Sequence, residues 1–163
     1  ITGSKKAFTM YKFLVFFFFF MGCKTTTGEI AVVKKSIEDV NLDVVEKKLN
    51  FKITTPDTMN SLINNWFNNH VKVNGFDGRA TIEIVSYEEK LTNIENGKKI
   101  EIILNLTIML ENKNFSHRKT FYFELNEFST IIGNFSLNEV DTMILNTQIN
   151  LVNRFSKNLN SKI

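Results

Sequence analysis

The side chains able to do covalent or metal chemistry are few. There is one cysteine, Cys23, and there are two histidines, His70 and His117. A lone thiol excludes an internal disulfide framework and any multi-thiolate metal site. His70 falls near the end of a helical pattern and His117 at the start of a strand, and no Cys, Asp or Glu stands at ligand spacing beside either. Glu88 and Glu89 are adjacent, so on a strand they point to opposite faces and cannot share a site. Gly75 and Gly78 follow a helix and precede a strand, the reverse of a phosphate-binding loop. No Gly-x-Ser-x-Gly elbow occurs. Three Asn-x-Ser/Thr matches begin at Asn105, Asn114 and Asn134, as chance produces in so Asn-rich a chain. The expectation is a protein that is not an enzyme, with no catalytic residue, no metal and no cofactor.

Cys23 has a different chemistry available. Met10-Tyr11-Lys12 is a short basic start to the apolar run at residues 13–20, which includes five consecutive Phe. That run is too short for an ordinary membrane-spanning helix but suits the apolar region of a secretory signal. It ends in Phe20-Met21-Gly22-Cys23, which resembles a bacterial lipobox with Phe20 where Leu is usual. In a lipobox the Cys is thioether-linked to diacylglycerol before cleavage, which leaves no thiolate for catalysis. Polarity then flips at once to Lys24-Thr25-Thr26-Thr27-Gly28-Glu29, as in a tether. The domains read as an upstream extension at 1–9, a lipoprotein signal peptide at 10–22, a lipidated tether at 23–35, and one folded domain at 36–163. Each buried acyl methylene contributes about 0.8 kcal/mol, so the two or three chains of a mature lipoprotein hold it permanently. Lys24, not Asp, after the Cys resembles the enterobacterial pattern for delivery to the outer membrane.

Composition supports a packed body. The chain of 163 residues is 43% hydrophobic and carries a net charge of +3 with Lys and Glu interleaved. That apolar content excludes a disordered tail, and the absence of a like-charge block argues against a nucleic-acid partner.

The elements of that body follow from periodicity. Val40, Leu42 and Val44 alternate as an early strand, which Phe51-Lys52-Ile53 extends or replaces. Thr55 as N-cap and Pro56 at the first helical position open a helix. Its apolar stripe is Met59, Leu62, Ile63, Trp66, Phe67 and Val71, and Trp66 reads as a core anchor. Asn74-Gly75 and Asp77-Gly78 turn the chain. Ala80, Ile82 and Ile84 begin a strand whose alternation slips near Val85-Ser86, the mark of a bulge. Ile100, Ile102, Leu104, Leu106, Ile108 and Leu110 alternate without a break as a central strand. Before it, Asn96-Gly97 is the preferred pair of a type I′ hairpin turn. Phe121, Phe123 and Leu125 give a third strand. Ser136 and Glu139 form a capping box, with Phe135 and Val140 as its apolar staple, ahead of the stripe Val140, Ile144, Thr147, Leu151, Phe155 and Leu159. The fold class is α+β: an antiparallel sheet in βαβββα order with two amphipathic helices packed on one face.

A short lipoprotein of βαβββα order, with Asn96-Gly97-Lys98 before its central strand and a long closing helix from Glu139 to Leu159, resembles the LptE-like lipopolysaccharide-assembly lipoproteins. Trp66 on the first helix, the turn at Gly75 and Gly78, and the strand Ala80 to Ile84 are also similar to an uncharacterised alphaproteobacterial lipoprotein family. The first resemblance implies a lipid-anchored protein on the periplasmic face of the bacterial outer membrane, with a non-enzymatic assembly or interaction role. Its partners would be the membrane through the N-terminal lipid, an outer-membrane β-barrel protein, and lipopolysaccharide. Lys98 and Lys99 at the hairpin tip would contact that partner or lipid phosphates. The alternative is an accessory or lipid-binding lipoprotein of an envelope transport system. A mixed, wet outer sheet face, bearing Lys99, Glu101, Asn105, Thr107, Glu111, Lys119 and Glu124, favours a protein partner. A deep apolar cavity between sheet and helices would favour a lipid.

Cys23→Ser should leave an uncleaved precursor and abolish labelling by a palmitate analogue. Labelling that persists in the mutant would overturn the anchor.

Overall fold

A computed structural model describes residues 36–114 and 116–163. The extension at 1–9, the signal peptide at 10–22, the tether at 23–35 and Cys23 itself lie outside the described residues. In order the elements are β1 (Val40–Leu42), β2 (Glu46–Phe51), α1 (Asp57–His70), β3 (Val71–Val73), β4 (Arg79–Ile94), β5 (Gly97–Glu111), β6 (Arg118–Ile132) and α2 (Leu137–Lys162). The main sheet has the order β2-β4-β5-β6, and β1 and β3 pair separately.

The uninterrupted alternation in β5 organises this sheet. Ile100, Ile102, Leu104, Leu106 and Ile108 are all buried on one face. Antiparallel register sets Ile82 opposite Ile108 and Ile84 opposite Leu106 on one side, and Leu104 opposite Leu125 and Leu106 opposite Phe123 on the other. The register shifts between Ile84 and Ser86, as the slip in alternation predicts. The extra residue moves the buried-side set of β4 from even to odd numbers, so Tyr87 rather than Ser86 meets Leu104.

Two helices cover that face. The capping box is complete: Ser136 Oγ accepts from Glu139 N, and Ser136 N donates to Glu139 Oε2 at 2.6 Å. This backbone bond, then the bond from the Ser136 hydroxyl, holds the Glu139 carboxyl below the ordinary carboxylate range. α2 buries Val140, Met143, Leu151, Val152, Phe155 and Leu159, and α1 buries Met59, Ile63, Trp66 and Phe67. A ring column crosses the layers: Trp66 meets Phe155 at 4.8 Å between centroids, and Phe155 meets Phe123 edge-on at 5.4 Å.

The class is the expected α+β one, and three details differ. First, the early strand is two strands, and both are parallel to later ones, β1 to β3 and β2 to β4. A helix between two neighbouring strands returns the chain in the same direction, so the sheet has one parallel edge. Val71, placed on the helix stripe by periodicity, instead begins β3. Second, Pro56 rather than Thr55 is the N-cap, because its carbonyl accepts the first helical bond from Asn60 N at 2.8 Å. No side chain caps α1 there, and Thr55 is buried. Third, the hairpin turns on Glu95-Asn96, since Ile94 pairs with Gly97. Asn96 takes the left-handed conformation at φ 57°, whereas Gly97 belongs to β5. A Cβ on Gly97 would stand 2.1 Å from the Ile131 carbonyl oxygen. Close approach of β6, not a second positive φ, therefore requires glycine at that position.

Leu106→Ala should cost roughly 2–5 kcal/mol in denaturant unfolding, because it truncates a buried side chain. Thr107→Ala, on the other face, should stay within about 0.5 kcal/mol. Equal losses would mean that both faces of the sheet are covered. A folded-state pKa depressed below the ordinary 4.5 makes Glu139 stabilising above that pH, and the contribution is lost as pH falls through the folded value. The Tm gap between wild type and Glu139→Gln should accordingly close on acidification, and a constant gap would exclude the carboxylate as its cause.

Candidate functional site

Among the described residues no helix covers the second face of the main sheet, and the pleat fixes what it displays. Lys99, Glu101, Ile103, Asn105, Thr107 and Met109 are its β5 row, all partly exposed. Across the register, the β6 row includes Tyr122, Phe128 and Ile132, which are 74%, 62% and 70% exposed. Large apolar groups thus stand singly among polar ones. The polar groups are tied to one another. Asn105 Nδ2 donates to Ser86 Oγ at 2.8 Å, and Asn126 Nδ2 donates to Glu101 Oε1 at 3.3 Å. Lys99 Nζ lies 3.5 Å from Glu101 Oε2 and 5.1 Å from the centre of the Phe128 ring. The Asn126 bond first, and the Lys99 charge second, hold the Glu101 carboxyl below the usual range. Lys119, expected on this face, is paired with Leu110 on the helix side and lies over the Phe121 ring at 4.7 Å.

The two lysines of the hairpin are separated by the same pleat. Lys99 pairs with Thr130 on the open face, whereas Lys98 pairs with Ile131 on the helix side. Being adjacent on β5, they diverge and do not converge on one phosphate. Any contact they make involves two different surfaces of the hairpin end.

The layer between sheet and helices is filled by side chains. Ile82, Ile84, Ile100, Ile102, Leu104 and Ile108 are at most 1% exposed beneath Trp66, Leu151, Phe155 and Leu159. A polar cluster around Gln148 lies within it. Gln148, 1% exposed, donates through Nε2 to Glu89 Oε2 at 3.1 Å, Tyr87 OH at 3.3 Å and Thr58 Oγ1 at 3.4 Å. Tyr87 in turn donates to Glu89, and burial first, then this bond, pushes its phenol well above the ordinary value. Glu88 pairs with Ile103 and Glu89 with Ile102, so the two carboxylates do face opposite ways. Sequence reasoning passed over Gln148, although a polar residue among Ile144, Leu151 and Phe155 on an apolar stripe is a visible signal.

Lys47 is the second residue that the pattern hid. Its ammonium donates to the carbonyls of Phe67 and Val71 at 2.6 Å each and lies 4.6 Å from the Phe67 ring centre. It closes the C-terminal end of α1, where the helix leaves carbonyls without partners. Burial, and then the Lys72 charge, lower its pKa. The contact joins residues twenty positions apart and has no local signature.

At the end of the sheet away from the hairpin, two open clefts share Asp77. One of about 630 Å³ is lined by Asp43, Asp77, Glu111, His117, Arg118 and Lys119, among others. The other, about 250 Å³, includes Glu46, Phe76, Arg79 and Lys113. Both walls mix the two signs of charge. His117 Nδ1 lies 3.1 Å from Ser116 Oγ, and His70 Nδ1 lies 2.9 Å from Asp39 Oδ1, a partner that sequence spacing did not supply. Among the described residues no three His, Cys, Asp or Glu side chains are grouped as metal ligands.

No protein-family model and no curated protein matches the chain. Solved structures do. A minor lipoprotein from Acinetobacter baumannii is similar with a TM-score of 0.46 and 12% identity, over 74% of this chain and 92% of that one. Rare lipoprotein B from Shewanella oneidensis is similar with a TM-score of 0.43 and 11% identity, over 72% and 95%. An uncharacterized lipoprotein B from Nitrosomonas europaea has a TM-score of 0.43 and 11% identity, over 79% and 90%. These three structures to which the chain is similar are bacterial lipoproteins.

Proposed function

We propose that this protein is an outer-membrane lipoprotein, anchored through Cys23, that works by binding another protein of the envelope rather than by catalysis. The observation that carries this reading is the sheet face that the described residues leave uncovered, where exposed Tyr122, Phe128 and Ile132 stand among paired polar groups. Aromatic anchors within a wet surround are what a protein interface uses, and contiguous apolar area is what a lipid pocket uses. The filled layer between sheet and helices supports the same preference. Among the described residues no helix is long and apolar enough to cross a membrane, so the lipobox supplies the attachment in this reading. The specific version is a role in lipopolysaccharide assembly, with an outer-membrane β-barrel as the partner.

A photo-crosslinker placed at Thr107 on the open face, and another at Lys98 on the hairpin, tests the proposal in living cells. Both should trap a large, heat-modifiable barrel, and depletion should make cells leaky to hydrophobic antibiotics. Adducts only with an inner-membrane transporter, together with an intact permeability barrier, would replace this reading by the accessory-lipoprotein one.

A further inference from the structure

β6 is an edge of the main sheet, and among the described residues no strand pairs with its far side. Two hydrogen bonds reveal which backbone groups face that side. Gly133 N donates to Asn96 O at one end of the β5–β6 ladder, and Asn112 N donates to His117 O at the other. Continuing the register of β6, both are bonds between directly opposed residues, and in an antiparallel ladder such pairs alternate. Odd-numbered residues of β6 therefore turn their N–H and C=O to β5, and even-numbered ones turn theirs to the free edge. Arg154 confirms the parity: its Nη1 reaches from α2 to donate to the carbonyl of Asn126, an even residue, at 2.6 Å. The guanidinium is held there by Glu127 Oε2 at 3.1 Å.

Arg154 thus blocks the edge at Asn126 and leaves Arg118–Glu124 open. An edge strand is ordinarily broken up by proline, a bulge or inward charges; this stretch has no proline and no bulge, and its one charge on the helix side, Lys119, lies over the Phe121 ring. It reads Arg-Lys-Thr-Phe-Tyr-Phe-Glu, rich in β-formers, with its basic residues at one end and its acid at the other. Such a segment complements itself when it runs antiparallel to a copy of itself. With Phe121 opposite Phe121 of the second copy, Arg118 meets Glu124 of the second copy and Thr120 meets Tyr122 of the second copy. The edge-facing even residues then form the hydrogen-bonded pairs. The half-buried Phe121 rings meet across the two-fold axis, and Tyr122, now mostly exposed, gains a neighbour.

We propose that Arg118–Glu124 of β6 is a self-pairing edge that joins two copies of this chain, antiparallel, into one continuous sheet. Phe128 and Ile132 of the open face lie outside that seam and only Tyr122 is shared with the proposed function, so self-association in the purified protein tests this idea apart from that one.

The test uses the full lipidated chain in detergent, by sedimentation velocity over a concentration series. Wild type should dimerise reversibly. Tyr122→Pro removes an N–H that faces the free edge, so it breaks no bond to β5 while deleting two bonds per dimer. It should raise the dimer Kd by about tenfold or more, with an unchanged circular dichroism spectrum. Glu124→Lys, which sets like charges against Arg118 of the second copy, should weaken association in the same direction. A photo-crosslinker at Tyr122 should give an adduct of twice the chain mass. A wild type that stays monomeric, a dimer indifferent to Tyr122→Pro, or Tyr122 adducts only with other proteins would overturn the proposal.

Discussion

Everything in the helical layer depends on Trp66. Its indole N–H donates to Ser156 Oγ at 2.8 Å across ninety residues of sequence, and its ring rests on Phe155, which rests on Phe123 of the sheet. A buried indole needs a partner for its N–H, and here that partner is a serine on the facing helix. Ser156 also donates to Val152 O within α2, so the hydroxyl has both its roles occupied. One contact therefore fixes the rotation of α1 about its axis and its height along α2. Once α1 is seated, its C-terminal carbonyls fall beside Lys47, and the chain leaves as β3 alongside β1.

How much of this was legible in the sequence depended on whether the physics was local. The central strand shows a strict period of two because one face is buried and the other wet. The bulge shows as a broken alternation, and the capping box as Ser136 and Glu139 at fixed spacing. The split of the early strand was not legible, because Glu46–Phe51 alternates poorly and its partner lies thirty-three residues on. The hairpin was off by one residue, because Asn-Gly is read as turn chemistry whereas Gly97 answers to a neighbour on β6. Of the candidate site, the mixed face was legible from β5. The separation of Lys98 from Lys99 followed from the same alternation but was not drawn from it. The clamp of Arg154 on Asn126 was beyond reach, since nothing local marks an arginine on α2 as the guard of a strand edge.

The two faces of the sheet solve different problems. The inner face tolerates a polar cluster around Gln148, whose Nε2 finds acceptors on α1 and β4 whereas its Oε1 has no hydrogen-bond partner among the described residues. The outer face keeps its polar groups in short bonded sets, so little unsatisfied polarity is offered to a partner. A partner there would be recognised mainly by the isolated aromatic and aliphatic groups of β6 and by shape.

The parallel edge has a bearing on the order of assembly. β4 and β5 are joined by a two-residue turn and β5 and β6 by a short loop, so this meander closes small loops. β2 must wait for α1 and β3 to bring β4 back beside it, a longer closure with a larger entropic cost. Local pairing is entropically favoured over distant pairing, which favours closure of the three-stranded meander ahead of the docking of β2. The vulnerable interval during folding is the one in which the β4 edge stands bare. Both rims of the sheet are then open at once, and the docking of β2 closes one of them.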